Sequence, residues 1–135
     1  MAPATLVDTA GACSCAFIPP EKLLKRADGA FNGRLLSVQP AGGTTEAAFR
    51  YRVGVVAKGP FRRGRVVTVW SQNSDSVCGL TQGTGEIYGL FVSRDEGRWE
   101  SGACSTTSPK AMRRLARDAD SASSASVQSG VACPA

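Results

Sequence analysis

Two of the five cysteines stand one residue apart, in Cys13-Ser14-Cys15, and the other three, Cys78, Cys104 and Cys133, are scattered along the chain. In an extended segment, residues two apart project to the same face. A bridge between Cys13 and Cys15 would close a very small strained ring, so each is expected to reach a distant partner. Two such bridges would hold residues 13–15 as a rigid ridge. A structural zinc site usually brings Cys-x-x-Cys knuckles, and the sequence has none. An oxidised framework is therefore expected, which places the chain in a secreted or cell-envelope compartment. Spacing alone does not choose the partners: five choices of odd cysteine times three pairings of the rest leave 15 two-bridge patterns.

The 135 residues are enough for one domain, and they include no histidine. That absence removes Ser-His-Asp and Cys-His nucleophile systems, His-based zinc catalysis and a near-neutral imidazole switch. No acid–base pair stands out among the eleven carboxylates, and no Gly-rich phosphate loop occurs. Gly83-Thr84-Gly85 reads as a turn. The chain is therefore expected not to be an enzyme and to need no cofactor. A net charge of +5 tolerates acidic partners without the dense basic character of a nucleic-acid binder. The nine aromatic residues form no evident stacking platform for bases, so no nucleic-acid partner is expected. No apolar run approaches the ~20 residues of a transmembrane segment.

Residues 1–12 read as a leader remnant or a flexible extension, because Ala10-Gly11-Ala12 has the small-x-small form of a signal-peptidase site. Pro20 to Ala27 predicts a short helix opened by proline. Five strands are expected: Ala30–Val38, a second over Phe49–Val55, then Arg65–Trp70, Glu86–Ser93 and Arg98–Cys104. The second is the clearest, with Phe49, Tyr51, Val53 and Val55 alternating with Arg50, Arg52 and Gly54. Trp70 and Trp99 are expected in the core or at the rim. Ser108-Pro109 then caps a helix carrying Met112, Leu115, Ala116 and Ala119 at helical spacing. The predicted domain covers 13–119, and 120–135 reads as a Ser/Ala-rich flexible tail. The expected fold is mainly β, a five-stranded closed barrel with a short N-terminal helix and a C-terminal helix.

Several of these pieces occur in a familiar order. Cys13-Ser14-Cys15 leads to Pro19-Pro20, then Ala27-Asp28-Gly29-Ala30-Phe31-Asn32-Gly33, Val56-Ala57-Lys58-Gly59, Val77-Cys78-Gly79, Gly85-Glu86-Ile87-Tyr88 and Cys104-Ser105-Thr106. Over about residues 13–116 the chain resembles the netrin-like domain of the tissue inhibitors of metalloproteinases, in particular the bacterial secreted relatives. The resemblance implies an OB-type barrel with Cys13–Cys78 and Cys15–Cys104 bridges. It also implies an inhibitory edge of Cys13, Ser14 and Cys15 beside Val77, Cys78 and Gly79. In the animal inhibitors the first cysteine is the N-terminus, and its α-amino nitrogen and carbonyl oxygen chelate the zinc of the target protease. By position those roles fall on Cys13, with Ser14 entering the specificity pocket. The chain would hold no metal of its own.

The alternative expectation is a non-inhibitory extracellular module, a monomer binding a protein or an acidic polysaccharide. The residues proposed for such a polyanion patch are Lys58, Arg62, Arg63 and Arg65 around one loop, helped by Arg113, Arg114 and Arg117 on the final helix.

Overall fold

The computed structural model describes residues 15–72, 79–80 and 82–132, the last of these as helix backbone from 122 onward. Helix α1 covers Pro20–Arg26. Strands β1 (Gly29–Pro40), β2 (Glu46–Lys58) and β3 (Val66–Gln72) follow as a meander. Then come β4 (Ile87–Asp95), β5 (Arg98–Glu100), a 3-10 turn at Ala103–Ser105, β6 (Thr106–Thr107) and helix α2 (Pro109–Ala132).

The sheet order is β1-β2-β3-β5-β4-β6, with a further pairing of β1 to β4 that closes five strands into a barrel. All neighbours are antiparallel except β3 and β5, which run parallel through Val69↔Trp99 and Trp70↔Glu100. The mainly β architecture with a closed five-stranded barrel and two flanking helices is thus as the sequence predicts. Closure depends on β1, which pairs with β2 along most of its length and with β4 over Gly29–Arg34. Three register shifts on its β2 edge, between Ala30/Phe31, Phe31/Gly33 and Leu35/Ser37, add the coiling that a small barrel needs. Gly33 lies at one close approach between the strands. A Cβ there would stand 2.9 Å from the Tyr51 Cβ and 3.1 Å from the Phe31 ring.

The strand alternation divides the molecule into two apolar layers. Phe31, Leu35, Phe49, Tyr51, Val53, Val69, Leu80, Leu90 and Val92 fill the barrel. Phe31, Phe61 and Trp99 stack from that core toward the rim, with ring centroids 4.6 and 4.8 Å apart. On the outside, Ala27, Ala30 and Phe91 meet Met112 and Leu115, with Leu23 and Leu24 of α1 packed alongside. Helix α2 therefore lies on the barrel wall rather than at its mouth. Ser108 caps it: its hydroxyl accepts from the Ala111 N–H at 3.1 Å. The backbone stays helical through the Ser/Ala-rich stretch to Ala132, in line with alanine's helix preference. Among the described residues, no helix is long and apolar enough to cross a membrane.

The fifth strand is shorter than its sequence suggests. After Glu100 the Ser101 N–H still donates to Trp70 O at 3.1 Å, but its hydroxyl donates to Phe91 O at 2.9 Å. The chain then turns through the 3-10 segment and adds β6 to β4 at Gly89 and Leu90. A two-residue strand carries no periodicity of its own, which is why the sequence does not announce it.

Tyr51 is fully buried and its hydroxyl donates to Gln82 Oε1. Burial, and secondarily the charge of Tyr88, hold its pKa far above the usual tyrosine range. The folded state keeps this proton where the unfolded chain loses it, above a pKa of about 10. Its contribution is complete below that pH and declines as pH rises. Urea titrations should show stability falling above pH ~10 by up to about 1.4 kcal/mol per pH unit beyond any other alkaline loss. A Tyr51→Phe variant should lack that added slope, and an identical slope in both proteins would contradict the assignment. Leu35→Ala should lower stability at neutral pH by about 2–5 kcal/mol in the same measurement.

Candidate functional site

Four of the six residues expected on the inhibitory edge, Cys13, Ser14, Val77 and Cys78, lie outside the described residues, as does Cys133. The other two, Cys15 and Gly79, are placed by independent constraints. Cys15 is disulfide-bonded to Cys104, with Cα atoms 5.4 Å apart and a sequence separation of 89. The bridge fastens the segment before α1 to the 3-10 turn after β5. Cys104 lines, with Ile18, Leu23, Ala27 and Phe91, a cleft of about 420 Å3. Phe17, two residues after Cys15, is 85% exposed.

Gly79 sits against the last residue of β3. A Cβ on it would lie 1.8 Å from the Gln72 carbonyl oxygen, so no other residue fits without moving the backbone. Next to it the Leu80 N–H donates to Ser71 Oγ at 3.1 Å, and the Leu80 side chain is buried in the barrel. The chain is thus pinned on both sides of 73–78. Because β3 and β5 run parallel, their C-terminal ends leave the barrel together. One leads into the segment ending at Gly79 and the other to Cys104.

The expected polyanion patch is divided. Lys58 turns inward to α1, donating from Nζ to Leu24 O at 3.0 Å and Lys25 O at 3.4 Å, where it closes the helix C-terminus. Arg62 and Arg65 line a groove with Phe61 and Trp99. Arg63 faces the other way, into a cleft of about 290 Å3 that it shares with Arg113. Arg114 pairs with Glu21 of α1 at 3.1 Å, and Arg117 is exposed on α2.

That second cleft contains residues the sequence analysis does not single out. Arg34 and Arg52 line it and are direct cross-strand partners. Like charges opposite one another on a sheet are unfavourable, by an amount on the order of 0.2–1 kcal/mol. Each is steadied by a backbone carbonyl: Arg34 Nη1 donates to Gly85 O at 2.6 Å and Arg52 Nη1 to Gly64 O at 2.9 Å. Beneath them Asn32 is 5% exposed and donates from Nδ2 to Pro109 O at 3.1 Å, while its Oδ1 has no partner. The outward position of Arg52 is visible in the β2 alternation. Its pairing with Arg34 depends on bulges that one strand's sequence does not reveal.

Among the described residues, no group of three or more His, Cys, Asp or Glu is placed to hold a metal ion. Compared with models of known protein families the chain matches none, and no curated protein is similar to it.

The Cys15–Cys104 bridge restricts a long loop in the unfolded chain, and the loop-entropy model gives about 4–5 kcal/mol for one of this length. Cys104→Ser should therefore lower stability by several kcal/mol under oxidising conditions, measured by chemical denaturation. An unchanged midpoint would show that the bridge is not formed.

Proposed function

We propose that this chain is a secreted or cell-envelope binding module of the netrin-like kind, acting without catalysis or cofactor as a monomeric zinc metalloprotease inhibitor. The barrel is the scaffold, and the working edge is Cys13, Ser14 and Cys15 beside Val77, Cys78 and Gly79. The observation that carries this proposal is the Cys15–Cys104 bridge, one of the two that the resemblance implies, which ties the segment before α1 to the turn after β5. The exposed Phe17 adds apolar surface of the kind that protein interfaces bury.

The chemistry required is specific. A protease zinc keeps one position open for water, which a neutral amine can displace. An α-amino group titrates near 7.7–8.0, so a useful fraction is neutral near physiological pH. An amide nitrogen has given its lone pair to peptide resonance and is no substitute. Chelation therefore requires cleavage after Ala12, which frees the Cys13 amine. Bridges at Cys13 and Cys15 would hold that amine in place and lower the ordering penalty of association.

Two forms of the chain, one beginning at Met1 and one at Cys13, should be assayed against a panel of zinc metalloproteases. Only the form beginning at Cys13 is expected to inhibit, acetylation of its amine should abolish the effect, and a bulkier residue at position 14 should change which proteases respond. Equal inhibition by both forms would contradict chelation by Cys13. Inhibition by neither would leave a non-inhibitory module that binds a protein or an acidic polysaccharide.

A further inference from the structure

Four arginines from four parts of the chain converge on one cleft on the outer wall of the barrel, and among the described residues no carboxylate lines it. Arg34 comes from β1, Arg52 from β2, Arg63 from the β2–β3 turn and Arg113 from the first turns of α2. None of them takes part in the ion pairs found among the described residues. Arg34 and Arg52 each direct one N–H to a backbone carbonyl, which fixes the guanidinium groups. A guanidinium has five N–H donors, so most of each fork remains for a ligand. The start of α2, bonded to Asn32 through Pro109, adds the positive pole of a long helix beside the cleft.

The kind of anion follows from the directions of approach. A planar carboxylate offers two oxygens in one plane and suits one arginine fork. Donors arriving from two strands, a turn and a helix suit a tetrahedral head with three or four oxygens. Four positive charges are also better compensated by a dianion. Two further features describe what the head is attached to. The buried Asn32 Oδ1 lacks a donor, and a ligand hydroxyl or N–H would supply one. Val55 and Ile87, also in the cleft, offer apolar surface to a carbon skeleton.

We propose that the cleft of Arg34, Arg52, Arg63 and Arg113 over Asn32 is a binding site for a compact tetrahedral oxyanion, a phosphate or sulfate group free or carried as an ester. This site lies on the barrel wall and is independent of the inhibitory edge, so it stands or falls separately from protease inhibition.

Calorimetric titration of the full chain at about 0.15 M ionic strength, where diffuse surface attraction is screened, tests it. The probes are inorganic phosphate, inorganic sulfate and acetate at matched ionic strength, with a long sulfated polysaccharide as a fourth. Phosphate or sulfate should bind saturably, one per chain, and more tightly than acetate; the tighter of the two names the head group. Arg34→Gln and Arg52→Gln should each weaken binding by about tenfold or more, because each removes charge-assisted bonds. Both should keep a cooperative unfolding transition, since each relieves the cross-strand repulsion. Arg63→Gln, on an exposed turn, gives the same loss of binding where folding is not at stake. Arg117→Gln, outside the cleft, should bind like the parent. The proposal is overturned if neither phosphate nor sulfate binds saturably, if acetate binds as well as they do, or if only the polysaccharide binds. Equal weakening by Arg117→Gln would also overturn it.

Discussion

The pairing of β1 with two neighbours at once is the constraint on which the other features depend. A strand that hydrogen-bonds β2 on one edge and β4 on the other has no free edge over Gly29–Arg34. The sheet can do this only by coiling, and the bulges in β1 provide the coil. Once the barrel closes, odd-numbered side chains from Phe31 to Leu35 are committed to its interior and Asn32 and Arg34 to its wall. The parallel contact of β3 with β5 follows from the same closure, since β5 fills the gap between β3 and β4. The arginine cleft lies where this arrangement puts it, on the β1–β2 wall.

The main chain and the arginine wall are stabilised in different ways. Before α1 the chain is held by a covalent bridge, and after β3 by a glycine pressed on a backbone carbonyl, and both fix the path of the main chain. On the wall, the arginines are held by single bonds to carbonyls and by the barrel beneath them, and their mutual repulsion is left uncompensated from within. Elsewhere the protein does pair its charges. Arg98 lies between Glu46 and Glu100, and Arg114 reaches Glu21. The contrast with the unpaired Arg34 and Arg52 is what points to a ligand on the wall.

Much of the barrel was legible in the sequence because its information is local. Alternation of Phe49, Tyr51 and Val53 with Arg50 and Arg52 marks an amphipathic strand, and Ser108-Pro109 marks a helix start. What could not be read is information held between strands. The opposition of Arg34 and Arg52 requires the register of β1 on β2, which is set by bulges and not by either strand's pattern. The diversion of Lys58 to the C-terminus of α1 requires knowing that helix and strand end side by side. Sequence proximity therefore placed Lys58, Arg62, Arg63 and Arg65 in one patch, whereas alternate side chains of the turn face different grooves. The Cys15–Cys104 pairing came from family resemblance, and cysteine spacing alone would have left it among many patterns.

The Cys15–Cys104 bridge, which ties the segment before α1 to the turn after β5, is tested most directly by disulfide mapping. Cys13 and Cys15 fall in one proteolytic peptide, so their partners are best separated in a Cys13→Ser variant, purified under oxidising conditions and mapped without reduction by mass spectrometry. The account predicts that the peptide containing Cys15 is linked to the peptide containing Cys104. A Cys15 linked to Cys78, or present as a free thiol, would contradict it.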